Sequence, residues 1–445
     1  MSTVAFDRTH TDDLIAYVTA SPTPYHAVHA AAARLERAGF TAVEETAAWD
    51  AAAGGRYLIR GGALIAWYVP EGADASTPFH VVGAHTDSPN LRLKPYPDTS
   101  RAGWRQVAVE VYGGVPRNTW LDRDLGIAGR LTLADGSQVL AHVDRPLLRV
   151  PQLAIHLARD VNQGLVLDPQ QHMTPIWGLG GLDDGGIVDF VAKEAGVDAA
   201  AVVGWDLMAF DVQPPAYLGR DEELLAASRL DNLLSVHAGV AALIAASQGS
   251  PTRIPVLAAF DHEEVGSESD TGAGGPLLGN VLDRLVYSRG GSHEDRARAF
   301  AATVCVSADM GHAVHPNYSE KHEPGHHPMP NGGPMLKVNV NQRYSTDGGG
   351  RAIFAAACER AGVPSQVFVS NNAMPCGTTI GPITAARLGI TTVDVGVAAL
   401  SMHSARELAG SDDAWMLAAA LGAFLGGYGH GLGLRHGLGW GTGWA

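Results

Sequence analysis

Seven side chains of this 445-residue chain carry groups suited to holding a metal ion or moving a proton, and each falls where an apolar run ends or a helix begins. Phe79–Ala84 stops at His85-Thr86-Asp87, Ile254–Phe260 runs into Glu263-Glu264, and Thr303–Ala308 stops at Asp309. Ile390–Val395 leads through Gly396 toward His403, and Asp231 opens the helical pattern of Leu230–Ala246. Residues two apart on a strand share a face, so the His85 imidazole and the Asp87 carboxylate are expected to project together, the acid orienting the ring. Glu263 and Glu264 repel each other unless a cation or a proton relieves them. At a strand end the two diverge, one toward a metal and the other toward substrate. Each residue also has an ordinary alternative. For His85, Asp87 and the glutamate pair it is a polar surface turn, for Asp231 a common helix-start residue, and for Asp309 and His403 an equally unremarked turn position.

Taken together the set is more specific than its members. Two imidazoles and three singly placed carboxylates, without thiolate, suit a two-zinc hydrolytic site, with manganese or cobalt as substitutes. Asp231, Glu264 and Asp309 nearly balance two divalent ions, which leaves Glu263 free to act as a base. Cys376 would be the rival nucleophile, but no base is assigned to it, and a packing role is preferred. His315, His322, His326 and His327 read as scaffold around Asp309 or an adventitious metal patch rather than as ligands.

These residues need a sheet to bring them together. Apolar runs of five to eight residues bounded by polar breaks are the pattern of strands buried on both faces, as in a parallel or mixed sheet. Sites in open α/β sheets gather beyond the carboxyl ends of the strands. Ahead of the sheet, two helices are expected within the first 40 residues, the second over His26–Arg37, followed by a hairpin of Tyr57–Arg60 and Ala63–Val69 around Gly61-Gly62. The stretch from about 96 to 220 differs: Val107–Tyr112, Gly129–Leu133 and Val139–Val143 are short strand-like segments, read as an inserted β-richer unit. After Phe424 the chain is Gly-rich, with nine glycines in its last twenty residues, which disfavours helix.

Composition narrows the function classes. With 46 acidic against 31 basic residues the formal charge is −15, which argues against nucleic acid or an anionic membrane as partner. No stretch approaches eighteen uninterrupted apolar residues, so no membrane span is expected. Cys305, Cys358 and Cys376 are too few and scattered for a disulfide framework or a cysteine zinc cluster. The opening MSTVAFDRTHTDD has no basic region followed by an apolar run, so no secretory signal is expected and a cytoplasmic location is the expectation.

Nine motifs then stand in a definite order: GAHTDSPNLRLKP, YGG…TWLDRDLGIAGR, LAIHLARDVNQG, SRLDNL, FDHEEVGSES, SADMGHAVHPNY, KVNVNQRYSTD, PCGTTIGPI and SMHSARE. In this the sequence resembles the aspartyl aminopeptidase family, dinuclear zinc exopeptidases whose catalytic domain is interrupted by a dimerisation domain. The likeness runs over roughly residues 10–424. It implies an α/β fold with a mixed central sheet flanked by helices, of the zinc exopeptidase kind. The expected layout is catalytic residues 1–95 and 223–424, a β-rich dimerisation insert over 96–222, and a Gly-rich tail over 425–445. The resemblance also implies that His85 ligates one metal, that Asp231 bridges two zinc ions per subunit, and that Glu264, Asp309 and His403 complete the set. Glu263 matches the general base and Asp87 the carboxylate behind the first histidine. His156 matches a histidine lent to the active site by a neighbouring subunit, and a homododecamer built from dimers is expected. Substrates would be peptides with a free N-terminus, preferably Asp or Glu, with His156, His312, Lys337 and Tyr344 in the substrate pocket. For Lys337 the ordinary alternative is a surface lysine. The sequence departs from the family at Asn371-Asn372-Ala373, where an Arg and an Asp are common, and at Gly311 in place of Ala. The first change is expected to loosen the pocket or an intersubunit contact. A broader-specificity aminopeptidase and a di-metal amidohydrolase on small N-acyl substrates are therefore the alternatives.

Overall fold

The computed structural model describes residues 8–182 and 185–426. The expected Gly-rich tail lies, from residue 427 on, outside the described residues. Three sheets organise the chain. The largest has nine strands in the order Thr41–Ala42, Gly54–Arg60, Ala63–Val69, Ile254–Phe260, Phe79–His85, Val304–Ala308, Thr391–Gly396, Met335–Val338 and Gln366–Val369. Its four middle strands are mutually parallel, with Phe260 level with His85 and Ala308 level with Val395. Every residue of Ile254–Phe260 is buried, as an unbroken apolar run requires when helices cover both faces.

One face of this sheet carries Leu230–Ser247 and Asp413–Leu425. Leu230–Ser247 has the length and apolarity of a membrane span, but most of it is buried in the core, which accounts for that composition. The opposite face carries Leu277–Ser288 and the end of His293–Ala301. The second expected helix begins earlier than its apolar pattern suggests, at Pro24, where Thr23 caps it by accepting from the His26 amide. The hairpin turns at Gly61, whose φ of 57° suits glycine.

A second sheet is built only from residues between 90 and 211. Its antiparallel order is Gln138–Leu148, Leu125–Leu133, Val202–Asp211, Asn90–Arg101, Trp104–Tyr112 and Ile176–Leu179, with Ile187–Glu194 packed on its core. The strand-like segments expected in this stretch are parts of longer strands. The chain enters the sheet directly from the end of Phe79–His85, and Trp104–Tyr112 returns with Tyr112 paired to Asn90. A third sheet runs Ala216–Leu218, Leu224–Ala227, Glu407–Gly410, Ala398–Leu400 and Gly311–His312.

Candidate active site

Because the four middle strands are parallel and level, their carboxyl ends deliver His85, Glu263, Glu264 and Asp309 to one edge of the sheet. Asp231 arrives from the start of Leu230–Ser247, but not as a regular helical residue. Asp231 and Asn232 have non-helical dihedrals and share a cis peptide bond, while Arg229 before them is left-handed at φ 59°. His403 and His262, beside the glutamates, are left-handed too, at φ 66° and 63°. Non-glycine residues held in this region cluster where surrounding structure fixes a functional geometry.

The Asp231 carboxylate lies between two imidazoles. Its Oδ1 is 3.3 Å from His85 Nε2, and its Oδ2 is 3.4 Å from His403 Nε2. On the Nε2 side a further carboxylate stands near each ring, Asp309 Oδ1 at 3.5 Å from His85 and Glu264 Oε2 at 3.3 Å from His403. The result is two adjoining imidazole–carboxylate sets that share Asp231. Ligand atoms of His85, Asp231 and Glu264 all lie within 4.8 Å of one another. Asp231 Oδ1 and Glu264 Oε1 are buried without a hydrogen-bond partner, a state that costs free energy unless something positive satisfies them. Burial and the Asp231 charge push the Glu264 carboxyl well up, while Asp231 is held low, against burial, by the two histidines. Burial opposes the charging of His403, yet hydrogen bonding to Asp231 and the charges of Glu264 and Asp231 lift it to about 10. A site that draws protons this strongly fits divalent cations, which would take the place of those protons.

Glu263 stands apart from this set. Its Oε2 is 3.9 Å from His85 Nε2, and burial, only partly offset by His85, raises its carboxyl to about 7. Asp87 lies beside the His85 ring, as expected, and does more besides. The strand ends at His85, and the His85 Nδ1–H donates to the Asp87 main-chain carbonyl at 3.0 Å, with the Asp87 carboxylate farther away at 3.4 Å. That carboxylate accepts from the Glu263 and Glu264 amides, each at 3.1 Å, and from the Tyr112 hydroxyl at 2.7 Å. It therefore fixes the glutamate turn at least as much as the histidine ring.

Lys337 is not a surface lysine. It is 2% exposed, its ammonium donates to the Met310 carbonyl at 2.6 Å, and it lies 3.6 Å from Asp309 Oδ2. Tyr344 is buried with its ring 5.5 Å from that ammonium. Tyr344 and His312 also line a cavity of about 380 Å³ that continues to Ser401, two residues before His403. His315, Lys321 and His322 line it as well, and no carboxylate does among the described residues. Asn371 shapes its rim by donating to the Glu320 and His322 carbonyls. His315 and His322 thus sit on the pocket, the His315 amide donating to His322 Nε2. Cys376 is in the same wall. His156 is not brought to the cluster. It is exposed between Ile155 and Leu157 in a segment that also exposes Leu153, Leu165 and Val166.

Sequence reasoning passed over Glu407. Buried at 2% exposure, it accepts from the His403 amide at 2.7 Å and the Asp231 amide at 2.9 Å, so one carboxylate holds the backbone of two site residues. The available signal was an acid next to the apolar strand Leu408-Ala409, since a buried carboxylate must find donors.

Fold and centre together define a metal-dependent hydrolase, and comparison with known proteins gives the class its family. The model of the family described as aminopeptidase I zinc metalloprotease (M18) matches residues 17–425. The chain belongs to this M18 family and is a zinc metallo-aminopeptidase. It is 69% identical over 420 residues to a probable M18 family aminopeptidase 2 of Streptomyces coelicolor, covering 94% of this chain and 97% of that one. Among solved structures, Ape4 in its complex with Nbr1 superposes with a TM-score of 0.90 at 36% identity, covering 94% of this chain and 85% of that one. The dodecamer of mature Ape1 from Saccharomyces cerevisiae gives a TM-score of 0.83 at 30% identity, covering 94% and 97%.

Proposed function

We propose that the protein is a two-zinc aminopeptidase that removes N-terminal Asp or Glu from peptides in the cytoplasm. The observation that carries this reading is Asp231, which turns one oxygen to His85 and the other to His403, each with its own further carboxylate. In this reading His85 and Asp309 would hold one ion and His403 and Glu264 the other, with Asp231 shared between the two sets. Ions held there would supply Lewis acidity toward the scissile carbonyl and acidify the attacking water. Glu263 takes the proton of the attacking water and returns it to the leaving amine. Asp87, through the amides of Glu263 and Glu264, keeps that base aimed. His156 of a second copy donates to the developing oxyanion, where charge grows only in the transition state.

For the acidic preference, the support is a pocket lined by Lys321, His312, His315 and His322 without a carboxylate, beside the buried Lys337. The charge that would offset the −15 of the whole chain for an acidic side chain comes from Lys321 and the nearby buried Lys337, since burial keeps His312 and His322 toward their neutral, hydrogen-bonding forms. The same pocket has walls of Tyr344, Phe368, Met374 and Leu400, which favours the broader-specificity alternative for large neutral residues. Exposed Leu153, Ile155, Leu157 and Val166 around His156 suit burial against a second copy, and a homododecamer built from dimers is the assembly proposed. The three free cysteines, two of them buried, fit a reducing compartment.

A panel of N-terminal residues on the purified oligomer, with zinc analysis, decides between the readings. Asp and Glu amides should give the highest kcat/KM, with two zinc ions per chain. Lys337→Ala should lower turnover of Asp substrates more than of Leu substrates. Equal losses would remove Lys337 from specificity, and a preference for Leu or Phe would favour the broader enzyme. Turnover of acylated amino acids alone would favour the amidohydrolase.

A further inference from the structure

The last residue of one strand of the second sheet and the two glycines that follow it touch three different residues of the candidate centre. Tyr112, which ends Trp104–Tyr112, donates its hydroxyl to Asp87 Oδ2 at 2.7 Å. Gly113, left-handed at φ 74°, lies so close to Glu264 that a Cβ there would sit 3.2 Å from the Glu264 Cβ. The Gly114 carbonyl accepts from His403 Nδ1 at 3.3 Å, and a Cβ on Gly114 would lie 3.2 Å from that nitrogen. A histidine whose Nδ1 proton is held by a carbonyl keeps Nε2 free and aimed, which is how ligand histidines are usually oriented.

We infer that Tyr112-Gly113-Gly114 is a positioning element that the inserted sheet contributes to the metal centre of its own chain. The inference rests on the reading of His403 and Glu264 as ligands. The arrangement follows from the chain path: the first strand of the sheet starts at Asn90, three residues after Asp87, and the second ends at Tyr112 opposite it, so this end of the sheet lies beside the centre. Both glycines are required by close approach. Gly113 lets Glu264 come against the backbone, and Gly114 leaves room for the His403 ring. Tyr112, buried and with Arg92 stacked over its ring at 4.6 Å, is anchored on the sheet side. A displacement of the insert would therefore reach Asp87, Glu264 and His403 together, which gives the insert a role at the centre in addition to assembly.

The test compares zinc retention under chelator competition, kcat and KM, and thermal midpoint for Tyr112→Phe, Gly114→Ala, His403→Ala and Gly136→Ala in the intact oligomer. Gly136 lies in the turn between Leu125–Leu133 and Gln138–Leu148, left-handed at φ 84° with nothing within 4 Å of an added Cβ, so its Ala variant strains the insert away from the centre and controls for general effects. Gly114→Ala should release zinc at about tenfold lower chelator than wild type, the range for loss of an outer partner of a ligand. Tyr112→Phe should lower kcat about tenfold with KM and thermal midpoint little changed, since it removes one of the three donors to the Asp87 carboxylate and nothing else. Gly136→Ala should match wild type in zinc retention. If His403→Ala retains zinc as wild type does, the reading of the centre fails. If His403→Ala loses zinc while Gly114→Ala retains it normally and Tyr112→Phe turns over normally, the positioning role fails and the reading of the centre stands. Should Gly114→Ala not fold, the kcat of Tyr112→Phe decides alone.

Discussion

Glu263 and Glu264 are neighbours in the chain with separate surroundings, and substitution should separate their work. Glu264 faces His403 at 3.3 Å, whereas Glu263 reaches only to 3.9 Å from His85 and keeps its amide on Asp87. Glu263→Gln keeps volume and backbone contacts but cannot carry a proton. We expect kcat to fall roughly 10²–10⁴-fold with zinc content unchanged, as for loss of a general base. Steady-state kinetics beside metal analysis checks this, and near-normal kcat would end its role as base. Glu407 calls for a different substitution argument. Its two oxygens each accept one amide N–H, from His403 and Asp231. In Glu407→Gln one acceptor becomes a donor facing a donor, a mismatch worth about 1–3 kcal/mol in a buried position. Both the thermal midpoint and zinc retention should drop, and a variant with wild-type values in both would show that the carboxylate is dispensable to the centre.

At the level of elements, the site exists because parallel strands end level, and the tightest place is where Thr391–Gly396 ends. A Cβ on Gly396 would overlap the Asp309 carbonyl oxygen and lie 3.1 Å from Lys337 Cε. Gly396→Ala must therefore push the Asp309 turn aside. We expect a loss of about 1–3 kcal/mol in urea unfolding, typical of overpacking, accompanied by weaker zinc binding. Unchanged unfolding and retention would mean that the turn adapts freely. Much of this architecture was legible in the sequence, because strands buried on both faces must be continuous apolar runs, and Phe79–Ala84 and Ile254–Phe260 are nearly those seen. Their chemistry was legible too, since polar residues ending such runs have to emerge at the sheet edge. Strand order was not. Ile254–Phe260 lies between Ala63–Val69 and Phe79–His85, antiparallel to the first and parallel to the second, pairings between residues far apart in the chain that no local pattern encodes. For the same reason Asp87 was assigned to the ring of His85: local spacing favoured that neighbour, whereas the amides that claim its carboxylate come from residues 263 and 264. Glu407 escaped notice because its donors, at Asp231 and His403, are backbone groups, which a sequence does not display.

For the molecule as a whole, the unresolved connection is between the centre and His156, which lies exposed on the 151–172 segment and makes no hydrogen bond to the centre among the described residues. If His156 serves the site of a second copy, a single chain has the metal-binding groups and the base but lacks one oxyanion donor. Two defective chains should then repair each other. In a mixed pair of His156→Ala and Glu263→Gln chains, the site of the first retains Glu263 and receives His156 from the second, so it is intact. The site of the second lacks both groups. With equal expression and random pairing half of the dimers are mixed and each has one working site of two, so co-expressed variants should recover roughly a quarter of wild-type activity. Either variant alone should stay near background while eluting at the size of the wild-type assembly. Co-expression with two affinity tags, followed by sequential purification of mixed assemblies, makes the measurement direct. Recovery in the mixed fraction requires donation between copies, because a His156 acting within its own chain would leave every site in the mixture short of one group. Activity no higher than that of the separate variants, in assemblies shown to contain both tags, would place His156 outside its neighbour's site and return the exposed 151–172 segment to a purely structural role.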